Sequence, residues 1–338
     1  MTADLLGCDR PLAEAYDCAL VDLDGVTYLG HEPIPWASQS LVAARGRGMR
    51  LVFVTNNASR SPAVVADQLA SLGIPAGPDD VMTASQSAAS LLATRLAPGA
   101  KVLVVGTDAL RDAVRDKGFV VVDSADDEPA AVAQGYGPEV GWKHLAEAAY
   151  AIERGAWHVA SNLDMSLPQA RGFAPGNGAL VMAVRAATGV VPDSAGKPEP
   201  TMYRLAAERA GGITPLVVGD RLDTDLAGAR AGGFAGLHVL TGVSTARDDV
   251  LAAAASRPSF LAADLRGLLE PHPAPRQLAD GWWACREAAA RVRDGGLELD
   301  DRGGDVLDLV RAACAAAWRA ADEGTPVEPG HVPEFSVG

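Results

Sequence analysis

Residues 21–27 read Val-Asp-Leu-Asp-Gly-Val-Thr, so two carboxylates, Asp22 and Asp24, stand at i, i+2 directly after the apolar run Cys18-Ala19-Leu20-Val21. Close carboxylates repel each other and persist only with a cation or a shared proton. The pair therefore reads as a hard-metal site or an acid pair. A strand that ends here, before the tight turn at Gly25, sets both acids at the carboxyl edge of a sheet, where open α/β sheets take ligands.

Three later stretches supply complementary chemistry. Thr55-Asn56-Asn57 offers a hydroxyl and backbone N–H groups suited to phosphate oxygens. In Gly196-Lys197-Pro198, the proline disfavours a helical backbone at Lys197, and Lys197 provides a point charge. Gly219-Asp220-Arg221-Leu222-Asp223-Thr224-Asp225 has its first Asp at a strand end and its last at a helix start. Each piece alone has a plainer explanation: a turn aspartate, a helix cap, a solvated lysine. In this order, each beside the matching element, they compose a phosphoryl-transfer site.

Alternating strand and helix patterns must position these residues. Strands are expected at Ala19–Val21, Arg50–Val54, Leu216–Val218 and Leu237–Leu240, and helices at Pro35–Gly48, Pro62–Leu72, Thr201–Ala210 and from Asp225. A second series, Lys101–Val105, Phe119–Val122, Ala130–Ala133 and Trp157–Ala160, has helices near Asp108–Lys117 and Lys143–Gly155. Such alternation predicts parallel sheets with crossover helices. The fold class is α/β: a Rossmann-like parallel-sheet core (1–85 and 189–270), an inserted α/β cap (86–188), and a small α+β C-terminal domain (276–338) after the linker Pro271-His272-Pro273-Ala274-Pro275. That last domain pairs short strands over Trp282–Leu299 with a helix at Asp305–Asp322. At its size it should dock on the rest.

The order and wording of the four motifs resemble the haloacid dehalogenase superfamily of aspartate-nucleophile phosphatases, specifically the class IIA, NagD-like capped group, over roughly 14–265. The tail beyond the linker resembles that of actinobacterial glycerol 3-phosphate phosphatases. The resemblance implies Asp22 as nucleophile and Asp24 as general acid/base. It implies Thr55, Asn56 and Lys197 as phosphate holders, with Lys197 also orienting the nucleophile. It implies Mg²⁺ held by Asp22, the backbone carbonyl of Asp24 and Asp220, with Asp225 behind them. Asn162 and Asp164, in Ser161-Asn162-Leu163-Asp164, are expected on the cap side of the substrate cleft, against the alternative of an Asx-turn. Gly176-Asn177-Gly178 is a hinge or a helix cap. The implied substrate is a small phosphorylated metabolite, glycerol 3-phosphate first, with phosphoglycolate, pyridoxal phosphate or a nucleotide monophosphate as alternatives. A catalytically silent sugar-phosphate-binding regulator is the alternative of another class, and retention of Asp24 argues against it.

Composition narrows the field further. A net charge of −14 argues against nucleic acid as a partner, and means an anion site needs local positive charge or a metal. No apolar run is long enough to span a bilayer, so no membrane partner is expected. Met1–Arg10 lacks the apolar segment of a signal peptide, and Cys8, Cys18, Cys285 and Cys314 are scattered without a Cys-x-x-Cys pair, which together favour a cytoplasmic location. A homo-oligomer is left open. His31, His144, His158, His238, His272 and His331 stand apart from Cys or Asp at ligand spacing and read as structural. No Gly-x-Gly-x-x-Gly follows an early strand, which disfavours a dinucleotide enzyme.

Overall fold

The computed structural model describes residues 4–30, 32–169, 171–301 and 304–337. His31 therefore lies outside the described residues. The chain divides into two compact units: Met1–Phe53 with Ser71–Pro75 and Ala207–Gly338, and Val54–Ala70 with Ala76–Ala206. These divisions differ from the expected 1–85, 86–188 and 189–270. The tail from 276 shares the first unit, and Thr55 and Lys197 both fall in the second.

In the first unit, five strands form a parallel sheet in the order Phe260–Ala262, Ala235–Val239, Pro215–Gly219, Cys18–Val21 and Arg50–Thr55. Cys18–Val21 is buried at every position, as a strand covered on both faces must be. It pairs Val21 with Val218 on one side and with Phe53 on the other. The Asp22 N–H donates to the Val218 carbonyl at 2.8 Å, so the ladder runs one residue past the strand. Distant segments of sequence thereby become neighbours, and both strands end in aspartates on one sheet edge.

The tail forms a four-stranded antiparallel sheet, Arg276–Gln277, Trp283–Cys285, Ala288–Arg293 and Gly296–Asp300, with a tight turn at Asp294-Gly295 where both residues have positive φ. The helix Val306–Asp322, capped by the Asp305 side chain on Leu307 N–H, packs on it. This tail docks as expected. Val310, Ala313, Cys314, Ala317 and Trp318 share one apolar cluster with Leu222, Leu226, Val250 and Leu261. Arg257, buried under the ring of Trp318, adds an ion pair to Asp322 at 2.8 Å.

The second unit carries its own parallel sheet, ordered Asp193–Ser194, Trp157–Ala160, Ala131–Gln134, Lys101–Val105 and Val120–Val122. Period-2 alternation in Lys101–Val105 sends Val102 and Val104 to one apolar layer, with Ala88, Leu92, Leu110 and Val114. Leu103 and Val105 go to another, with Ala148, Ile152 and Val184. The helices Ala84–Leu92 and Asp108–Asp116 supply the first layer, and Trp142–Glu153 and Asn177–Thr188 the second. A hairpin, Ser166–Gln169 with Gly172–Pro175, has no counterpart in the sequence expectations.

His158 is buried in this sheet and donates from Nε2 to Gln134 Oε1 at 2.9 Å. Burial pushes its pKa down to about 4. Because the unfolded chain takes up this proton first, the stability His158 provides is complete above pH ~6.5 and lost as pH falls to about 4. The stability gap between wild type and His158→Gln, read from urea melts, should narrow by up to about 3 kcal/mol from pH 7 to pH 4. A gap that does not vary with pH would show that His158 is not held neutral.

Candidate active site

On the carboxyl edge of the first unit's sheet, the carboxylates of Asp22, Asp220 and Asp225 have oxygens within 4.8 Å of one another, and all three residues are buried. Asp22 and Asp220 follow directly from adjacent strands. Asp225 arrives through a π-helical turn, Leu222–Leu226, that runs into the helix Ala227–Gly232. The Arg221 N–H donates to Asp225 Oδ2 at 3.2 Å, and the Asp225 N–H to the Arg221 carbonyl at 3.0 Å. This extra-wide turn, rather than the plain helix start expected from the sequence, turns Asp225 inward. The Asp24 side chain stands outside the group and is exposed, unlike that of Asp22.

Backbone approaches Asp220 more closely than any side chain would permit. Gly25 has φ +84°, and a Cβ built there would lie 2.4 Å from Asp220 Oδ2; one on Gly242 would lie 2.0 Å away. The Val243 N–H donates to the same oxygen at 2.8 Å, and Thr241 Oγ1 donates to the Gly25 carbonyl at 2.6 Å. Ser244 ties the loop further, with its N–H on the Asp220 carbonyl (3.0 Å) and its hydroxyl accepting from Leu222 N–H (3.1 Å). Three buried carboxylate groups in a cradle free of side-chain bulk form a hard-oxygen donor set that fits Mg²⁺.

Sequence reasoning did not single out Thr241–Ser244, since nothing in those residue types signals a site. Nor did it pair His238 with Asp249. Both are fully buried, with Nδ1 2.8 Å from Asp249 Oδ2 and Nε2 3.1 Å from the Asp220 carbonyl. Burial acts to lower the His238 pKa, but the Asp249 charge and hydrogen bond outweigh it. Burial also lifts that of Asp249, against the lowering effect of His238.

The second unit holds the other predicted residues. Thr55 closes its strand, buried, with Oγ1 accepting from Asn57 N–H at 3.1 Å. Asn57 forms an Asx-turn to Ser59, from N–H (2.8 Å) and hydroxyl (2.7 Å). Lys197, also buried, directs Nζ to the Val54 carbonyl at 3.5 Å. Asn56 is a clasp. Its Oδ1 accepts from Lys197 N–H at 2.8 Å, and its Nδ2 donates to the Lys197 carbonyl (3.2 Å) and to Asp164 Oδ2 (3.1 Å). Both ends of the Asn56 amide are thus engaged inside the unit.

Asn162 Nδ2 donates to the Asn56 carbonyl at 2.7 Å, and its Oδ1 accepts from Asp164 N–H at 3.2 Å. The Asx-turn alternative is thus present in Ser161–Asp164, joined to the clasp. Asn177 Nδ2 donates to the Asn162 carbonyl at 2.7 Å, and Gly178 N–H to that of Asp164 at 2.9 Å, so the start of Asn177–Thr188 steadies this loop. Gly196 is confined by the same cluster: a Cβ there would lie 2.6 Å from the Ser161 carbonyl oxygen and 2.8 Å from Asn56 Oδ1.

The chain belongs to the haloacid dehalogenase-like hydrolase family, which matches residues 19–120, while a related HAD-hydrolase-like family matches 194–268. Residues 285–333 match a GCN5-related N-acetyltransferase-like domain. D-glycerol 3-phosphate phosphatase of Mycobacterium tuberculosis is 46% identical over 93% of this chain and 89% of its own length. An acid sugar phosphatase of Staphylococcus aureus is 35% identical over 69% of this chain and 90% of its own. Among solved structures, a glycerol phosphate phosphatase of Mycobacterium tuberculosis in complex with magnesium superposes with a TM-score of 0.85 at 45% identity, covering 92% of this chain and 93% of that one. A p-nitrophenyl phosphatase of Archaeoglobus fulgidus reaches 0.70 at 28% identity, covering 75% and 98%.

The clasp makes a local prediction. Asn56→Ala removes the acceptor for Lys197 N–H, so that amide should exchange with solvent at least about tenfold faster, while amides of Lys101–Val105 stay protected. Equal protection of Lys197 in both proteins, by hydrogen-exchange mass spectrometry or NMR, would show that Asn56 does not hold it.

Proposed function

We propose that this chain hydrolyses glycerol 3-phosphate, with Mg²⁺ as its metal and an aspartyl-phosphate as intermediate. It is a phosphoric monoester hydrolase of its family, and the observation that carries the reading is the buried group of Asp22, Asp220 and Asp225 on one sheet edge. The relative that matches 93% of the chain, tail included, acts on D-glycerol 3-phosphate, which favours that substrate over other small phosphates. None of the described helices is long and apolar enough to cross a membrane, and all four cysteines are free, which supports a reducing, cytoplasmic setting.

In this reading an oxygen of Asp22 attacks phosphorus, and the bond to the leaving alkoxide breaks as Asp24 gives it a proton. Asp24, now a carboxylate, takes a proton from water, whose oxygen attacks the phosphoryl group and releases inorganic phosphate and Asp22. Exposure of Asp24 beside a buried Asp22 suits these parts: the nucleophile must be desolvated and fixed, while the acid/base must meet alcohol and then water. Asp22, Asp220 and the Asp24 carbonyl, with Asp225 behind them, would hold Mg²⁺, which would offset the charge of the carboxylates and the phosphoryl oxygens. Thr55 and Lys197 hold the phosphate, Lys197 by charge. Asn56, with Asn162 and Asp164, fixes the turn that presents them. The inserted segment 86–188 acts as the cap, and its loop 161–164 sets substrate choice through the part of the substrate that does not react.

A panel of small phosphomonoesters assayed with and without Mg²⁺ tests this directly. Glycerol 3-phosphate should rank first and EDTA should abolish turnover. Asp22→Asn should leave under about one per cent of the rate, since loss of the covalent path costs several kcal/mol. A higher residual rate would remove Asp22 from the nucleophile's role, and a different leading substrate would replace glycerol 3-phosphate.

Asp24→Asn separates substrates by leaving group. Alkyl phosphates should slow by at least about a hundredfold, and 4-nitrophenyl phosphate far less, because nitrophenolate departs without a proton. Equal losses on both would limit Asp24 to the metal site.

A further inference from the structure

The tail's long helix lies in the segment that matches an N-acetyltransferase-like domain, yet its buried polar contacts lead toward the carboxylate group. Trp318, 1% exposed, donates from Nε1 to the Asp249 carbonyl at 2.8 Å. This fixes the short helix Ala246–Val250, whose Asp249 carboxylate meets His238 Nδ1 at 2.8–2.9 Å. His238 Nε2 then reaches the Asp220 carbonyl at 3.1 Å. A carbonyl only accepts, so Nε2 is the donor in this contact, and Asp249 at Nδ1 holds the ring in that orientation. All four residues belong to one compact unit.

The Asp220 carbonyl thus takes two hydrogen bonds, from His238 Nε2–H and from Ser244 N–H, while Val243 N–H holds Oδ2. A peptide held on its carbonyl cannot rotate without breaking both bonds, and rotation would swing the Asp220 side chain away from Asp22 and Asp225. We infer that His238 is a positioning residue for the metal carboxylate Asp220, and that the C-terminal helix, through Trp318 and Asp249, is a brace of the metal site. The inference rests on the reading of Asp220 as a Mg²⁺ ligand. It gives the N-acetyltransferase-like segment a part in phosphatase chemistry that needs no acyl transfer. Groups that orient metal ligands from behind typically change metal affinity 10- to 100-fold when replaced.

The test is Mg²⁺ binding by titration calorimetry on the full chain without substrate, alongside circular dichroism and melting in EDTA. In shape, a glutamine amide nitrogen replaces Nε2 and an asparagine amide nitrogen replaces Nδ1. His238→Gln keeps the donor to Asp220 and should bind Mg²⁺ within about threefold of wild type. His238→Asn keeps only the contact to Asp249 and should bind at least about tenfold more weakly. A residue that served only as a partner for Asp249 would give the reverse order, and equal or reversed affinities overturn the inference. Should His238→Asn fail to fold, Trp318→Phe carries the same question, because it keeps an aromatic ring and removes the N–H. It should weaken Mg²⁺ binding by at least about threefold, and wild-type affinity in that folded variant overturns the brace. Wild type that binds no Mg²⁺ would overturn the function reading and the brace together, whereas intact wild-type binding with unchanged variants overturns the brace alone.

Discussion

Three carboxylates crowded into a buried space are the constraint around which the first unit is arranged. Oxygens within 4.8 Å, at an effective dielectric near 20, repel by at least about 3 kcal/mol per ionised pair. No chain gathers Asp22, Asp220 and Asp225 for stability. The parallel sheet brings two of them together because Cys18–Val21 and Pro215–Gly219 are neighbours, and the wide turn at Leu222–Leu226 delivers the third. Gly25 and Gly242 leave room for Asp220, and backbone N–H groups of Arg221 and Val243 take up part of its charge and that of Asp225. Carboxylates gathered in this way are an arrangement that a cation can stabilise.

The sequence carried much of this because its signals were local. An apolar run followed by Asp-x-Asp-Gly needs no distant information, and the strands Cys18–Val21, Lys101–Val105 and Trp157–Ala160 and the helix Thr201–Ala210 lie where pattern placed them, to within a residue. The antiparallel tail and its turn at Asp294-Gly295 followed from alternation and turn chemistry. What escaped was set by long-range contact. His238 looks isolated because its partner Asp249 is a helix away and no spacing rule joins them. The boundary between the units cuts the strand Arg50–Thr55 after Phe53, where hydropathy continues unbroken. The π-helical turn has the composition of an ordinary helix start.

Asn56 shows how side-chain contacts invisible in the sequence bear on a motif residue. By type alone an asparagine after a strand reads as a helix cap, and only the family resemblance makes it a phosphate holder. Here its amide is saturated by Lys197 backbone and by Asp164, which makes it a joint between two loops. The part-buried amide is tolerable there because its own donors and acceptor are engaged, and the same bonds give the joint one geometry.

The apolar cluster beneath the helix Val306–Asp322 bears on how portable this catalytic unit is between chains. Leu222, Leu226, Val250 and Leu261 lie within the family's own span, which ends at 268, yet their partners Val310, Ala313, Ala317 and Trp318 come from beyond it. A version of this chain stopping at that boundary would expose a continuous oily face directly behind the loop that carries Asp220 and Asp225, inviting self-association. The extension and the surface it covers are accordingly expected to have been gained or lost together, as one inherited block.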